Sequence, residues 1–368
     1  MEIPVTYLQH LTMVMVQVGF AGLNVMSKLA MNTGMSPYVL VSYRQIIAFF
    51  FLFLLAFFFE RNTWNKITKK VLFQIFITST FGATMNQMLY FVGLKFTTPT
   101  IACALSNTLL AITFVMAVIF RTERVMINSV PGKAKVFGTF LCVGGSMLMT
   151  FYSGPIIRIP PSGIHWEYVE SMSSGSETGI DNAQNMALGA VLVFLSCVAW
   201  AVWFIVEEKM GKAYNSLYTT TSIMCFFASI ECVILTACME RSLSSWNLGL
   251  NIRLLTSLYM GIVNSGISFA AMAWCLQTRG PLYVSAFSPL LLVIVAIVGW
   301  AIMNEKIYVG SVLGALLIAL GMYFVLWGQN KEKTFKKLGD EEIGGEIGLN
   351  SVSPCDDHHH YQQQPVEQ

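Results

Sequence analysis

TPTIACALSNTLLAITFVMAVIFRTERV, residues 98–125, recurs at 280–307 as GPLYVSAFSPLLLVIVAIVGWAIMNEKI. Without a gap, Pro99 falls on Pro281, Ala104 on Ala286, Ser106 on Ser288, and Leu109 and Leu110 on Leu291 and Leu292. Glu123 falls on Glu305 and Arg124 on Lys306. After a short gap, Gly138, Leu141 and Gly145 fall on Gly314, Leu317 and Gly321. Each copy is a long apolar run that ends in an acidic–basic pair, followed by a glycine-spaced apolar run. An internal repeat in an apolar chain is the signature of a transporter built from two related halves.

The surroundings of the repeat are those of a bilayer protein. Hydrophobic residues make up 55% of the 368 and charged residues only 11%, and the mean hydropathy is +0.61. A soluble domain carries roughly 25% charged residues, so this chain cannot cover its surface with charge. The net charge of +2 gives no basis for binding nucleic acid. Seven of the eight cysteines lie in apolar runs, without metal-ligand spacing, and read as small buried hydrophobes. No cleavable signal peptide and no N-glycosylation sequon is evident.

A hydrocarbon core about 30 Å thick takes roughly 20 apolar residues per helix. On that basis ten spans are expected, near 11–31, 38–59, 71–94, 100–120, 136–151, 186–206, 217–239, 254–276, 282–303 and 308–327. The domain reading is a first repeat at 11–152, a polar non-cytosolic loop at 153–185, a second repeat at 186–328 and a disordered cytosolic tail at 329–368. Basic residues cluster on the side shared by both termini, among them Arg61, Lys66, Lys69, Lys70, Arg121, Arg124, Lys133, Lys135 and Lys331. Far fewer lie opposite: Lys95, Arg158, Arg241, Arg253 and Lys306. The positive-inside rule then places both termini in the cytosol. Five spans per half is an odd number, so the halves insert in opposite senses. The fold class expected is an all-α polytopic membrane protein of about ten transmembrane helices in two inverted five-helix repeats.

Several stretches carry a family resemblance: SYRQIIAFFFLFLLAFFFER, NQMLYFVGLKFTTPTIACALSNTLLAITFVMAVIFRTE, GTFLCVGGSMLMTFYSGP, RGPLYVSAFSPLLLVIVAI and NEKIYVGSVLGALLIALGMYFVLWG. They resemble the plant nodulin-like, EamA-type branch of the drug/metabolite transporters, the group of WALLS ARE THIN-related or UMAMIT proteins. The resemblance covers about Gly19 to Gly328. It implies a central cavity lined by both halves and transport of small organic solutes, chiefly amino acids, with auxin for some members. It also implies the plasma membrane, with the tonoplast as alternative. The chain departs from the family at Ser106-Asn107-Thr108, where many relatives carry a proline break; here proline stands only in the second copy, at Pro289. The expectation is a weaker bend in the fourth span.

Each candidate binding residue has a structural alternative. Lys28 is a cation within a span, suited to a substrate carboxylate or to snorkelling. Arg44 reads as interfacial or structural. Asn86, Gln87 and Tyr90 on the third span offer amide and hydroxyl groups to an amino acid, or bond between helices. Ser106, Asn107, Ser288 and Pro289 mark a polar stretch of site or gate, or a plain kink. Asn264 and Ser268 on the eighth span read first as close packing. Trp200 and Trp203 suit an apolar wall. Glu231 is the one carboxylate deep in a span and reads as a structural hydrogen bond rather than a proton site, while Glu207 and Glu208 read as solvated. The expected partners are a small-molecule substrate and the lipid bilayer, with no nucleic acid, and assembly into a homo-oligomer is left open. No cofactor, no metal site and no catalytic residues are expected, because the spans carry no paired aspartates, HExxH or GxSxG. No selectivity-filter segment or charged ring points to a channel.

Overall fold

The computed structural model describes residues 5–61, 67–96, 102, 105–120, 122, 129–152, 154–156, 183–214, 216–240, 246–248, 252–303 and 308–350. Among the described residues ten helical segments follow one another: α1 (Val5–Asn32), α2 (Pro37–Phe59), α3 (Lys69–Thr78, then π-helical Ser79–Met85, then Asn86–Phe96), α4 (Leu109–Ile119) and α5 (Val130–Phe151) in the first half. The second half has α6 (Ala183–Ala213), α7 (Leu217–Met239), α8 (Ile252–Tyr259, π-helical Met260–Ser268, Phe269–Arg279), α9 (Pro281–Ala286 and Leu290–Met303) and α10 (Val309–Asn350). Eight helices among the described residues are long and apolar enough to cross a membrane, and Leu109–Ile119 is a shorter apolar helix. The outer surface is apolar, with Phe50, Phe58, Phe73, Phe140, Phe151 and Tyr323 exposed. A surface of that kind suits lipid rather than water.

Helix ends follow local chemistry. α5 begins earlier than the apolar run alone suggests, because Ser129 Oγ accepts from Gly132 N (3.2 Å) and Pro131 sits in the first turn. α10 corrects the expected irregular tail: helix continues to Asn350. The first part of the segment, residues 329–338, carries four Lys and a Glu and no Gly, which favours helix, and a Lys135–Glu332 ion pair ties its start to α5. The loop expected at 153–185 and the tail beyond 350 lie mostly outside the described residues.

Two sets of equivalent helices, α5 with α10 and α2 with α7, pair antiparallel. On α5 and α10, a Cβ at Gly138 would stand 2.6 Å from Gly321 O, and one at Gly145 2.9 Å from Gly314 O. Only glycine lets the two backbones approach so closely. The four are repeat mates, so one contact is the image of the other. α2 and α7 are both 23 residues long, start after Ser36 and Ser216, and end at Glu60 and Glu240. Glu60 accepts from Tyr218 N (3.1 Å), Thr219 N (2.8 Å) and Thr219 Oγ1 (2.7 Å), capping α7 from the other half. At the opposite end Ser36 Oγ donates to Glu240 Oε2 (2.8 Å). Each helix therefore lends its C-terminal glutamate to the N-terminus of its mate. This is the arrangement of an inverted repeat about a pseudo-two-fold axis.

Candidate functional site

The repeat reproduces two distortions of the main chain. In its register Ser79 falls on Gly261 and Met85 on Ile267, so the π-helical segments of α3 and α8 are equivalent. Within them hydrogen bonds reach back five residues, as from Asn86 N to Phe81 O. Such segments free backbone groups and redirect side chains, and are frequent at functional sites. The second distortion is a break in the fourth and ninth passes. In α9 it covers 287–289, with Ser288 N bonding to Ser285 O (3.0 Å). In the fourth pass residues 107–108 form a turn, and helix resumes at Leu109.

The fourth pass is thus interrupted even without proline, over two residues where α9 is interrupted over three. Hydroxyl groups replace the missing ring: Thr108 Oγ1 donates to Leu105 O (2.6 Å) and Ser106 Oγ to Ala102 O (2.8 Å). Side chains that bond back onto the preceding turn compete with the helical ladder and bend it.

Between these distortions lies an aromatic cluster. Trp200 and Trp203 of α6 stack at 4.8 Å between ring centroids. Phe269, the first residue after the α8 π-segment, lies 5.8 Å from Trp200 and 5.4 Å from Trp203. Trp203 rests on the π-segment of α3, where a Cβ at Gly82 would stand 2.3 Å from its ring. Arg44 of α2 lies over the Phe269 ring at 5.7 Å, and its Nε donates to Ser265 Oγ.

On these helices and on the fourth pass, several buried polar atoms lack a protein partner among the described residues. They are Gln45 Oε1 and Nε2 on α2, Ser79 Oγ and Gln87 Oε1 on α3, and Asn107 Nδ2 and Thr113 Oγ1 on the fourth pass. On the other half they are Trp203 Nε1 and both amide atoms of Asn264. An unpaired buried polar group costs about 1–3 kcal/mol. Native proteins keep few of them, and such groups call for water or a ligand.

The expected site residues divide accordingly. Gln87, Asn107, Trp203 and Asn264 carry unpaired groups; Trp200 supplies a wall, and Ser288 and Pro289 form the break of α9. Asn86 does not join them: its Nδ2 donates to Ser196 O (2.8 Å), a tie between α3 and α6. Ser106 and Ser268 bond to their own helices, Ser268 Oγ to Val263 O (2.9 Å). Tyr90 is half-buried beside Phe91. Lys28 lies on α1, but its side chain is outside the described residues.

Two charges are placed differently from the sequence reading, and a third fits one half of it. Arg44 is 4% exposed and bonded to Ser265, which fits the structural alternative; Gly261 lets α2 approach the α8 π-segment there. Glu207 and Glu208 are 2% and 3% exposed, because α6 runs on to Ala213 and keeps them inside the bundle; Glu208 pairs with Lys212. Glu231 is half-buried and accepts the Thr80 hydroxyl (2.9 Å), from the α3 π-segment. Its role as a structural hydrogen-bond acceptor fits this contact.

The missed residues left two traces in the sequence: Arg44 as a charge in an apolar run, and Gly82, Gly261 and Gly266 as gaps where another side chain enters.

Comparison with known proteins bears on the same features. The profile of the EamA-like transporter family matches twice, at residues 8–151 and 187–327. WAT1-related protein At5g07050 of Arabidopsis thaliana is 39% identical over 88% of this chain and 81% of its own length. Protein WALLS ARE THIN 1 of the same plant is 38% identical over 89% of this chain and 85% of its own. A crystal structure of a protein 15% identical in sequence aligns with 87% of this chain and 99% of its own length, with a TM-score of 0.61, and so shares the fold. A multi-pass membrane transporter of small solutes accounts for the passes, the repeat and these likenesses together. The chain belongs to the EamA-like transporter family and, within it, to the WAT1-related proteins of plants.

Proposed function

We propose that this protein is a bidirectional facilitator that carries small organic solutes, foremost amino acids, by alternating access. The observation that carries the reading is the set of unpaired buried groups contributed by both halves. Gln45, Gln87 and Asn107 come from one repeat, and Trp203 and Asn264 from the other. Amide oxygens accept from an ammonium, and amide, hydroxyl and indole donors serve a carboxylate. A site shared between two inverted halves is one that rocking of the halves exposes to either side. Nothing in the set needs a proton to be taken up. Glu231 Oε1 accepts the Thr80 hydroxyl while its Oε2 is buried without a protein partner, and the proposal takes the solute gradient alone as the drive.

A second reading, an aromatic organic anion such as auxin, is favoured by one specific observation: the Trp200–Trp203–Phe269 cluster with Arg44 over its edge. Uptake of labelled amino acids and labelled auxin into proteoliposomes separates the two. Saturable uptake of amino acids supports the first, saturable uptake of auxin alone supports the second, and uptake of neither ends both.

The proposed orientation has both termini in the cytosol and the 153–185 loop outside it, at the plasma membrane or, alternatively, the tonoplast. The support is the clustering of basic residues on one side of the passes. Cysteine labelling in sealed vesicles should find Ser174→Cys and Lys333→Cys on opposite sides. Finding them on the same side removes the orientation and, with it, alternating access by inverted halves.

A further inference from the structure

Arg44 has more positive charge than its surroundings use. It sits at the eighth position of α2 and is 4% exposed, inside the bundle. Its Nε is engaged by Ser265 Oγ and its face by the Phe269 ring. Neither group is charged, and no carboxylate pairs with it among the described residues. The titratable groups beside it are the thiols of Cys225 and Cys232 on α7. A guanidinium with one edge tied down still presents its terminal N–H groups as a planar fork. An intramembrane cation without a counter-charge is costly and calls for one from elsewhere.

Further unpaired polar groups occur on the two helices that the Arg44–Ser265 contact joins. Gln45 follows Arg44 on α2, and Asn264 precedes Ser265 on α8; all four of their amide atoms lack a protein partner and both residues are fully buried. The approach is built into the main chain. A Cβ at Gly261 would stand 2.6 Å from Ile47 and 3.0 Å from Arg44 O, so the π-segment lets α2 come close enough for Arg44 to reach Ser265. On its far side Phe269 leads to Trp200 and Trp203. A buried cation without a counter-charge, next to an aromatic wall, suits a carboxylate on a small organic body.

We propose that Arg44 contacts the carboxylate of the transported solute and sets the preference for carboxylates over their neutral counterparts, with Ser265 holding the guanidinium in place. Arg44→Gln then weakens binding of the carboxylate solute and leaves that of its carboxamide little changed. The proposal rests on the transport reading above, and it deepens that reading to a residue.

The test uses the full-length purified chain in proteoliposomes and two matched pairs of probes: L-phenylalanine with L-phenylalaninamide, and indole-3-acetate with indole-3-acetamide. Each is measured for binding by competition and for flux. In the wild-type chain one carboxylate should bind at least roughly tenfold more tightly than its amide, the scale of a buried charge-assisted pair. In Arg44→Gln that ratio should collapse toward one. If Arg44→Gln does not fold, Arg44→Lys keeps a cation but loses the fork, and the ratio should still drop several-fold. A wild-type ratio near one for both pairs, or no binding by any probe, overturns the proposal. So does a ratio left unchanged in the folded variant. The two readings fail apart. A chain that carries phenylalanine and its amide equally keeps amino-acid transport and loses the role of Arg44. One that prefers indole-3-acetate to its amide but carries no amino acid keeps Arg44 and loses the amino-acid reading.

Discussion

The α5–α10 seam and the α3–α8 pair are both made of repeat-equivalent helices, yet they are built in opposite ways. Along α5 every buried hydroxyl is satisfied within its own helix: Thr139 on Lys135 O and Ser146 on Cys142 O. Four glycines bring the two backbones together, and Cys142 Sγ reaches Ile318 O (3.6 Å). α3 and α8 instead carry π-helical segments, and Ser79, Gln87 and Asn264 on them hold unpaired polar atoms. With its buried hydroxyls satisfied within the helix, the α5 side of the seam has little to offer a solute and reads as scaffold. Helices that keep unpaired groups call for water or a solute to meet them.

The contrast is broken most forcefully at the seam. Gly321→Val puts a side chain 2.6 Å from Cys142 N and 2.7 Å from Gly138 O, where backbone rather than a flexible side chain must give way. The expected outcome is a loss of about 3 kcal/mol or more, read as a lowered melting temperature and a smaller monodisperse fraction in detergent. An unchanged melting temperature would show that the seam is looser than the glycine contacts require.

A change on the other pair should spare the fold and cost transport. Gln87→Ala removes an unpaired amide from α3. Transport should weaken roughly three- to tenfold, the worth of one or two hydrogen bonds to the solute, with melting temperature and membrane delivery unchanged. Normal transport over a range of substrate concentrations would make that stretch of α3 packing rather than pocket.

The smallest effect is expected at Glu231. Its side chain accepts from Thr80 and so belongs to the tie between α7 and the α3 π-segment. Glu231→Gln keeps an oxygen acceptor there. Flux should stay within about a factor of two of wild type, with the same pH profile. Uphill accumulation driven by an imposed pH gradient, and abolished in Glu231→Gln, would make this residue a proton site.

Much of this contrast was legible in the chain, because a repeat, long apolar runs and basic flanks are patterns of composition and spacing. Pro289 announced the break in α9, and Trp200 with Trp203 announced a wall, since one turn separates two large rings. The π-segments were not legible: one residue inserted into a turn leaves no mark in an apolar pattern with a 3.6-residue period. Their consequences were hidden with them, including the inward placement of Arg44, which depends on the close approach at Gly261. Glu207 and Glu208 looked solvated because charge near a helix end usually is, and only the continuation of α6 to Ala213 keeps them inside. The break at Asn107-Thr108 was hidden for a different reason: serine and threonine bend a helix only where their hydroxyls turn back onto it.

The central claim is that one site, shared by two inverted halves, opens alternately to either side and carries solute down its gradient. Counterflow measures this directly. Proteoliposomes loaded with unlabelled solute, an amino acid or auxin according to the uptake result, are diluted into a trace of the labelled compound. A carrier of this kind should accumulate label transiently above its equilibrium level, and faster than vesicles that start empty. Label that enters at the same rate whatever the vesicles contain, without overshoot, would contradict alternating access and point to an open pore.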